Sequence, residues 1–433
     1  MSLAKGSHGL QDYQRGSKMF KLSKTEKSWA FYDWGNSAYS MTITSTILPL
    51  YFKAVFASGG GESTLSTAYW GYANSISTLL VAVIAPILGT LADYRGYKKK
   101  FFVAFFILGV AFTALLAVVP DKYWPLLLVF YILNAIGFSG SLVFYDAFLI
   151  DVTTKERMDM VSSMGYGLGY IGSTIPFILC MAIVILAQFG MLPLSVAGAS
   201  KLAFVITAIW WAVFTLPMLK RVKQEYGIEV ERRPVKNSFV RLGNTLKNIR
   251  QHKTVFLFLL AYFFYIDGVN TIITMATSYG ADLGISTPNL LIILLVTQFV
   301  AFPFSILFGW LAEKFKGKTM LYVGIIIYTF ICIYAYFLKT TLDFWILAML
   351  VGTSQGGIQA LSRSYFGKLV PKNNANEFFG FYNIFGKFAA ILGPFLVGIT
   401  TQLTGKTSYG VLSIIILFIF GGIALIKVPR QAG

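Results

Sequence analysis

Gly89-Thr-Leu-Ala-Asp93-Tyr-Arg95-Gly96-Tyr-Lys98-Lys-Lys100 is a short charged turn between two long apolar segments. A weaker copy, Gly309-Trp-Leu-Ala-Glu313-Lys-Phe-Lys-Gly317-Lys318, lies between two apolar segments in the second half of the chain. The repetition of one turn in one kind of context indicates an internally duplicated membrane protein. Duplicated helical membrane proteins are most often transporters.

The composition also points to a membrane protein. Of the 433 residues, 56% are hydrophobic and only 12% are charged, about half the charged share of a soluble domain. A bilayer accommodates such a chain, because each spanning helix needs roughly 20 apolar residues. The two cysteines, Cys180 and Cys332, lie in apolar segments, so we expect them to be buried, and no disulfide framework is indicated.

Twelve apolar segments predict twelve spanning helices, because only helices or closed barrels satisfy the backbone in lipid. Their approximate limits are 28–57, 67–91, 101–119, 123–149, 160–188, 201–219, 254–279, 289–312, 319–338, 343–368, 378–402 and 408–426. The longest polar stretch, 220–253, divides them into two sets of six. We therefore expect an all-α fold of two pseudo-symmetric six-helix bundles, at 28–219 and 254–427, with terminal tails at 1–27 and 428–433.

The positions of the charges predict the orientation of the chain. The formal net charge is +18, and with a cytoplasmic N-terminus nearly all Lys and Arg residues fall on the cytoplasmic side. The exceptions are Lys53, Lys122, Lys201, Lys339, Lys406 and, inside a span, Lys387. This asymmetry predicts that both termini are cytoplasmic, in a membrane such as the bacterial inner membrane. The basic excess then faces anionic lipid, and no nucleic-acid partner is expected.

Both ends of the first bundle carry polar segments. Residues 1–17 are polar, Met19 is an alternative start, and no secretory signal is expected. In the linker, Phe239, Leu242, Leu246 and Ile249 recur at helical spacing, while Arg241, Lys247 and Arg250 occupy other faces. This pattern predicts an amphipathic helix on the cytoplasmic leaflet; a solvated basic loop is the alternative.

The opening turn is suited to gating. Gly89 and Gly96 would let neighbouring backbones approach closely, and Asp93 could pair with cations or with the N-terminus of a neighbouring helix. We therefore expect Asp93 and Arg95, with Glu313 in the weaker copy, to act in gating and not in cargo binding.

The opening turn resembles the signature loop between the second and third helices of the major facilitator superfamily, and its copy lies where that superfamily has a degenerate one. Further motifs resemble the autophagy-related vacuole effluxer family, a branch of the superfamily: Phe31-Tyr-Asp33-Trp-Gly-Asn36-Ser-Ala-Tyr39, Tyr265-Ile-Asp267-Gly-Val-Asn270-Thr271, Gln359-Ala-Leu-Ser-Arg363-Ser, and Glu377-Phe-Phe-Gly-Phe-Tyr-Asn383 through Lys387 to Gly393-Pro394. The resemblance covers most of the chain. It implies a secondary transporter, with amino-acid efflux implied for the fungal members and poorly defined substrates for the bacterial ones. The predicted fourth span has no arginine, so drug–proton antiport is less favoured.

Two ionisable residues lie deep within predicted spans, where charges are costly and usually functional. Lys387 follows Glu377 by roughly 15 Å of helix, near the midplane of a ~30 Å hydrocarbon core, and Asp267 lies at a similar depth. We expect Lys387 to attract an anionic group of the cargo, and Asp267 to bind a cationic group or the coupling proton. A structural ion pair, or a charge facing water in the cavity, is the alternative for each.

Other polar residues complete the predicted site. Asp33 lies closer to the cytoplasmic end, and the Asp-x-x-Asn spacing of Asp33/Asn36 recurs in Asp267/Asn270 at a depth that differs by several ångströms. Asp146 and Arg363 lie near the cytoplasmic ends of the corresponding fourth and tenth spans, so we expect a charge pair that closes the cytoplasmic mouth; plain interfacial charges are the alternative. We further expect cavity contacts from Asn36, Asn270, Gln359, Asn383, Tyr265 and Tyr382.

The pattern Gly167-Leu-Gly169-Tyr-Ile-Gly172 lies inside an apolar span, so helix packing is favoured over dinucleotide binding. No nucleotide motif, metal-ligand spacing or catalytic cluster is present in the sequence, so we expect neither an enzyme nor a cofactor. The predicted protein is a monomeric transporter that exports a zwitterion such as an amino acid or short peptide. Proton coupling and contact with membrane lipids are also expected. A lysolipid or cell-wall fragment is the alternative cargo, and a transporter-like membrane sensor the alternative class.

Overall fold

The computed structural model describes residues 21–60 and 63–429; the remainder of the predicted tails, 1–20 and 430–433, lies outside the described residues. We number the spans by their predicted order. The helices of the first half are span 1 (Lys24–Ala38, the π-helical Tyr39–Ile47, and Leu48–Ser58), span 2 (Ser63–Ala92), span 3 (Tyr97–Leu115), span 4 (Trp124–Ala147), span 5 (Met158–Gln188) and span 6 (Val196–Arg221). The short helix Leu149–Val152 follows span 4.

The second half begins after the linker helix Pro234–Lys247. Its helices are span 7 (Lys253–Asp282), span 8 (Thr287–Phe315), span 9 (Gly317–Tyr336), span 10 (Thr341–Leu369), span 11 (Ala375–Phe388 and Leu392–Thr404) and span 12 (Thr407–Ser413 and Ile415–Ile426). Among the described residues, 11 helices are long and apolar enough to cross a membrane. Span 1 completes the arrangement, and the predicted all-α fold is confirmed.

Span 1 begins where the sequence provides a complete N-cap. The side chain of Ser23 accepts from the Glu26 backbone N–H, and the Glu26 side chain accepts from the Ser23 N–H. This reciprocal pair satisfies two of the free N–H groups at a helix start. Glu26 also forms an ion pair with Arg157 at 2.9 Å, which ties the start of span 1 to the start of span 5.

The two halves contact each other through a small set of helices. Span 2 packs on span 11, span 5 packs on spans 8 and 10, and span 4 packs on the first part of span 11. We call the end of the bundle that carries the linker helix the linker side, and the opposite end the far side. The loops between spans 2 and 3, 4 and 5, 8 and 9, and 10 and 11 all lie on the linker side.

Span 11 differs from the single helix expected from its apolar run. The chain leaves helical geometry between Phe388 and Leu392. Pro394 lies in the first turn of the second segment, where its missing N–H costs nothing, whereas its ring would clash with a continuous helix. The break places backbone N–H and C=O groups within the predicted membrane span.

The linker contains the predicted helix, but its faces differ from the prediction. Leu242, expected on the face toward the cytoplasmic leaflet, packs against the bundle, whereas Phe239 is 52% exposed. Arg241, expected on a polar outer face, points into the bundle and is bonded there. The side chains of Leu246, Ile249 and Arg250 lie outside the described set. The helix therefore docks on the protein through a charged contact that its apolar periodicity did not reveal.

Candidate functional site

Arg363 lies at the centre of a buried polar cluster, which we call the closure cluster: Asp33, Asp146, Ser162 and Arg363. Arg363 Nη2 lies 3.2 Å from Asp33 Oδ2, and Nη1 lies 3.2 Å from Asp146 Oδ1. Nε donates to Ser162 Oγ at 2.9 Å, and Nη2 donates to the Ser162 carbonyl at 3.0 Å. Span 10 of the second half is thereby bonded to spans 1, 4 and 5 of the first half.

Aromatic rings enclose the guanidinium of Arg363. The centroids of the rings of Trp29, Tyr145 and Tyr166 lie 4.7, 5.3 and 4.4 Å from its Cζ. Tyr145 also donates its hydroxyl to Asp33 Oδ2 at 2.7 Å. These contacts leave Arg363 only 1% exposed. With two carboxylates and one guanidinium, the cluster holds one negative charge in excess when both acids are ionised.

Further hydrogen bonds cross between the halves around the closure cluster. Asn383 donates to Asp146 Oδ2 at 3.5 Å and to the Phe379 carbonyl within its own helix at 3.0 Å. Gln359 Oε1 accepts from Tyr170 at 3.2 Å. The structure therefore brings five of the predicted residues, Asp33, Asp146, Gln359, Arg363 and Asn383, to one cross-half interface on the linker side.

The opening turn forms a second cross-half contact. The carboxylate of Asp93 accepts from the backbone N–H and side-chain amide of Asn376 at 2.9 Å and from the Glu377 N–H at 3.3 Å. It thus caps the N-terminus of span 11, one of the two roles expected for it. Arg241 of the linker helix lies 3.2 Å from Asp93 and 3.6 Å from Glu377. Burial raises the pKa of Asp93 to about 7, against the opposing effect of the Asn376 hydrogen bond.

Close backbone approach supports that contact. A Cβ added to Gly89 would lie 2.5 Å from the Asn376 carbonyl, so spans 2 and 11 could not meet here with a larger residue. Gly309 of the weaker copy lies equally close to Ser163 of span 5. Near it, Asp159 forms an ion pair with Lys368 at 2.6 Å and accepts from Ser364. The two halves are therefore joined at two corresponding places on the linker side.

The other two gating candidates contribute differently. Arg95 pairs with Glu229 of the linker at 2.9 Å, and both side chains are largely exposed. It contacts the linker and not the opposite half, because its position in the turn faces solvent. Glu313 is half-buried near Arg157, whose pKa is raised by its hydrogen bond to Glu26 and in part by the charge of Glu313. Neither residue takes part in a cross-half ion pair in the described part of the chain.

Asp267 lies inside span 7, beside the break in span 11. It is fully buried, and its two carboxylate oxygens accept from the backbone N–H groups of Leu392 at 3.0 Å and Gly393 at 2.9 Å. Thr271 also donates to it at 3.3 Å. Asp267 thus caps the second segment of span 11 at the break. In this conformation the buried carboxylate already accepts three hydrogen bonds, and binding of cargo or of a proton by Asp267 stays a prediction.

Asp33 and Asp267, which begin the two copies of the Asp-x-x-Asn spacing, do not occupy equivalent positions in the two halves. Tyr32 of span 1 bonds Ser141 of span 4 at 2.6 Å, and Tyr265 of span 7 bonds Ser362 of span 10 at 2.7 Å. When these two tyrosines are matched, Asp267 falls one residue later than Asp33. One residue is about 100° of rotation around a helix. Asp33 therefore faces Arg363, whereas Asp267 faces the break in span 11.

In the described part of the chain, the remaining candidates form no hydrogen bond or ion pair with the closure cluster. Lys387 is half-buried one residue before the end of the first segment of span 11. Asn270 is half-buried, and the side-chain nitrogen of Asn36 is buried without a hydrogen-bond partner among the described groups. Tyr382 is stacked on Tyr262, with ring centroids 4.4 Å apart, inside the second bundle.

Sequence reasoning missed several residues that hold these contacts. Tyr145 and Ser162 are uncharged and lie in apolar runs, so no pattern marked them. Lys98 and Asp151 form a fully buried ion pair at 2.5 Å, and Asp151 also accepts from the Glu225 and Tyr226 N–H groups of the linker. Their charges at adjacent span ends were the only signal that could have suggested this pair.

The sequence of this chain is similar to those of known membrane proteins. Residues 23–433 match the family described as vacuole effluxer Atg22 like. The chain is similar to the MFS-type transporter YxiO of Bacillus subtilis (strain 168), 62% identical over 95% of this chain and 96% of that protein. It is 25% identical to autophagy-related protein 22 of Saccharomyces cerevisiae (strain ATCC 204508 / S288c), over 92% of this chain and 91% of that protein.

Solved structures share the architecture. The human organic anion transporter MFSD10 matches with a TM-score of 0.70 and 11% identity, over 93% of this chain and 99% of that chain. FucP, a major facilitator superfamily transporter in the outward conformation, matches with a TM-score of 0.70 and 14% identity, over 95% of this chain and 100% of that chain. At these identities the likeness concerns the fold.

Proposed function

The chain belongs to the Atg22-like vacuole effluxer family and is a multi-pass transporter of the major facilitator superfamily; from this premise we propose that it exports a small zwitterionic solute. An amino acid or short peptide is the proposed cargo, and the two bundles rock about a central site in alternating access. The linker side is the cytoplasmic side of a bacterial inner membrane, as the distribution of Lys and Arg supports.

The cross-half bonds on the linker side support a conformation closed to the cytoplasm. The closure cluster, the Asp93 cap and the Asp159–Lys368 pair join the halves there. In this state cargo would leave toward the far side. Opening of the linker side would separate Arg363 from Asp33 and Asp146, and cargo would then enter from the cytoplasm.

Lys387 is the main support for a zwitterionic cargo. In the described residues, no carboxylate oxygen lies within 4.0 Å of its Nζ, although it is half-buried at membrane depth. An unpaired cation there favours an anionic partner, most simply the cargo carboxylate. The adjoining helix end at Phe388 presents backbone carbonyls, the negative end of a helix dipole, which suit an ammonium group.

Proton coupling is assigned to the closure cluster. Asp33 and Asp146 share one arginine, so one proton would balance the charge of the cluster. Asp267 is less suited, because its hydrogen bonds are to span 11 of the same half and do not join the two halves. Proton uptake by either acid of the cluster would weaken its bond to Arg363 and favour opening toward the cytoplasm.

Counterflow in proteoliposomes tests the cargo assignment, with radiolabelled neutral, acidic and basic amino acids and dipeptides. We expect Lys387→Gln to lower flux at least about ten-fold, the effect of roughly 1.4 kcal/mol, and Lys387→Arg to retain part of it. Lys339→Gln, an exposed lysine on the far side, is the matched control. Undiminished flux in Lys387→Gln would exclude Lys387 as the anion-binding residue.

A second candidate cargo is amphiphilic. The second bundle contains a cavity whose lining is almost wholly apolar, with Gln355 among its few polar residues. An acyl chain would fit such a surface better than a polar solute. Translocation of a fluorescent lysophospholipid in the same proteoliposomes, together with absent amino-acid counterflow, would favour this cargo.

A further inference from the structure

An open pocket of about 610 Å³ lies on the linker side where span 3 begins and span 6 ends. Its lining consists of Gly96, Lys99, Lys100, Val103, Ala104, Lys223 and Gln224. Two chain segments that are distant in sequence thus contribute three lysines to one concavity. None of the cross-half contacts described above involves these three lysines.

The charge of this pocket is not balanced by the protein. In the described parts of the chain, no carboxylate oxygen lies within 4.0 Å of the Nζ atoms of Lys99, Lys100 or Lys223. Of the nearby acids, Asp151 pairs with Lys98 and Glu229 pairs with Arg95, and in the described residues Glu225 forms no ion pair with any of the three lysines. Three cations held together without a counter-ion favour an anion between them.

An apolar surface continues directly from the lysines. On span 3, Ala104, Ile107, Leu115 and Val118 are exposed at helical spacing below Lys100. On span 6, Ile209, Val213 and Leu216 are 58%, 50% and 47% exposed. The two helices pack side by side, since a Cβ on Gly109 would collide with the Trp211 ring. In a membrane this paired face contacts acyl chains.

We propose that this pocket binds one anionic phospholipid, with its phosphate between Lys99, Lys100 and Lys223 and its acyl chains along spans 3 and 6. A free anion would use the lysines but not the apolar face, and a zwitterionic lipid would not balance the charge. Basic pockets at the cytoplasmic ends of spanning helices suit anionic headgroups. The site is separate from the cargo site and independent of the cargo's identity.

Binding here would also affect the opening turn. Gln224 lines the pocket, and its Oε1 accepts from the backbone N–H groups of Gly96 and Lys98. Those residues follow Asp93, which caps span 11. A lipid that orders Lys223 and Gln224 would therefore stabilise the turn in its linker-side-closed position.

Native mass spectrometry of the full-length protein tests the site, with phosphatidylglycerol, phosphatidylcholine and inorganic phosphate as separate probes. We expect Lys100→Gln combined with Lys223→Gln to weaken phosphatidylglycerol binding about thirty-fold, or five- to six-fold per lysine. Lys155→Gln combined with Lys236→Gln removes the same charge from exposed positions outside the pocket and should leave binding unchanged. Equal losses in both double variants would overturn the site, as would no loss in the pocket variant.

The probes separate the lipid from other ligands. Phosphatidylcholine bound as tightly as phosphatidylglycerol, or displacement of phosphatidylglycerol by inorganic phosphate, would overturn the anionic-lipid assignment. Hydrogen exchange of wild-type protein in nanodiscs gives a measurement without any variant. We expect residues 96–104 to exchange more slowly with phosphatidylglycerol than with phosphatidylcholine, and equal exchange would contradict the proposal.

Discussion

Arg363→Gln should shift the protein toward a state that is open on the linker side. In the closed state Arg363 is 1% exposed and makes two ion pairs and two hydrogen bonds to Ser162. Removing one partner from a buried ion pair costs about 3–5 kcal/mol. The open state exposes these groups to water and loses much less, so we expect the equilibrium to change by about 3 kcal/mol, roughly 150-fold.

The shift can be measured as a distance between the halves. Spin labels at Lys155→Cys and Asn373→Cys occupy exposed linker-side positions in opposite halves, and the native Cys180 and Cys332 are buried. Double electron–electron resonance should show a longer-distance population in Arg363→Gln that is minor in the parent protein. A distance distribution identical to that of the parent would refute the reasoning.

A double-mutant cycle would divide the effect between the two acids. A charge swap of Asp146 and Arg363 is a poor test, because it would place a carboxylate beside Asp33. Asp146→Asn and Asp33→Asn, each alone and combined with Arg363→Gln, give the two coupling energies separately. Coupling to Asp146 but not to Asp33 would confine the gate to spans 4 and 10.

Three further outcomes follow from the linker side. Gly89→Ala should lower stability by about 1–3 kcal/mol through overpacking against span 11, whereas Gly71→Ala in the same helix meets nothing within 4 Å and should be neutral in thermal unfolding. Asp151→Asn leaves Lys98 buried without its ion-pair partner and should lower the free energy of unfolding by about 3–5 kcal/mol. Arg95→Gln breaks an exposed ion pair and should lower it by about 1 kcal/mol or less in the same assay. Between pH about 4 and 7 the folded protein keeps a proton on Asp93 that the unfolded chain has released, so stability falls as pH rises through this window, and Asp93→Asn should flatten that part of the pH profile of Tm.

The depth of a residue could be predicted from the sequence, but its direction could not. Counting residues from span ends placed Asp146 and Arg363 near the same end of spans 4 and 10, and their atoms lie 3.2 Å apart. The same counting placed Asp33 near the cytoplasmic end without showing that it shares Arg363. Depth follows from the rise along a helix, whereas direction depends on how each helix is rotated against its neighbours.

Asp267 shows most clearly that the depth of a residue does not predict which groups it contacts. Its depth and charge suggested cargo or proton binding, but the groups that bond it are backbone N–H groups 125 and 126 residues away in the sequence. Those groups are free only because span 11 breaks before Leu392. Gly393-Pro394 was visible in the sequence, but a proline inside an apolar run does not show whether the helix bends or ends.

The sequence by itself determined the class of the protein: a duplicated helical membrane protein with its polar linker between two sets of six spans. Hydrophobic length, charge asymmetry and the repeated turn are local properties, and the bilayer converts them directly into spanning helices. Only the tertiary structure decided what the opening turn contacts. Asp93 caps span 11 and is paired with Arg241 of the linker helix, because packing brings a turn, a helix end and a linker together that are far apart in the chain.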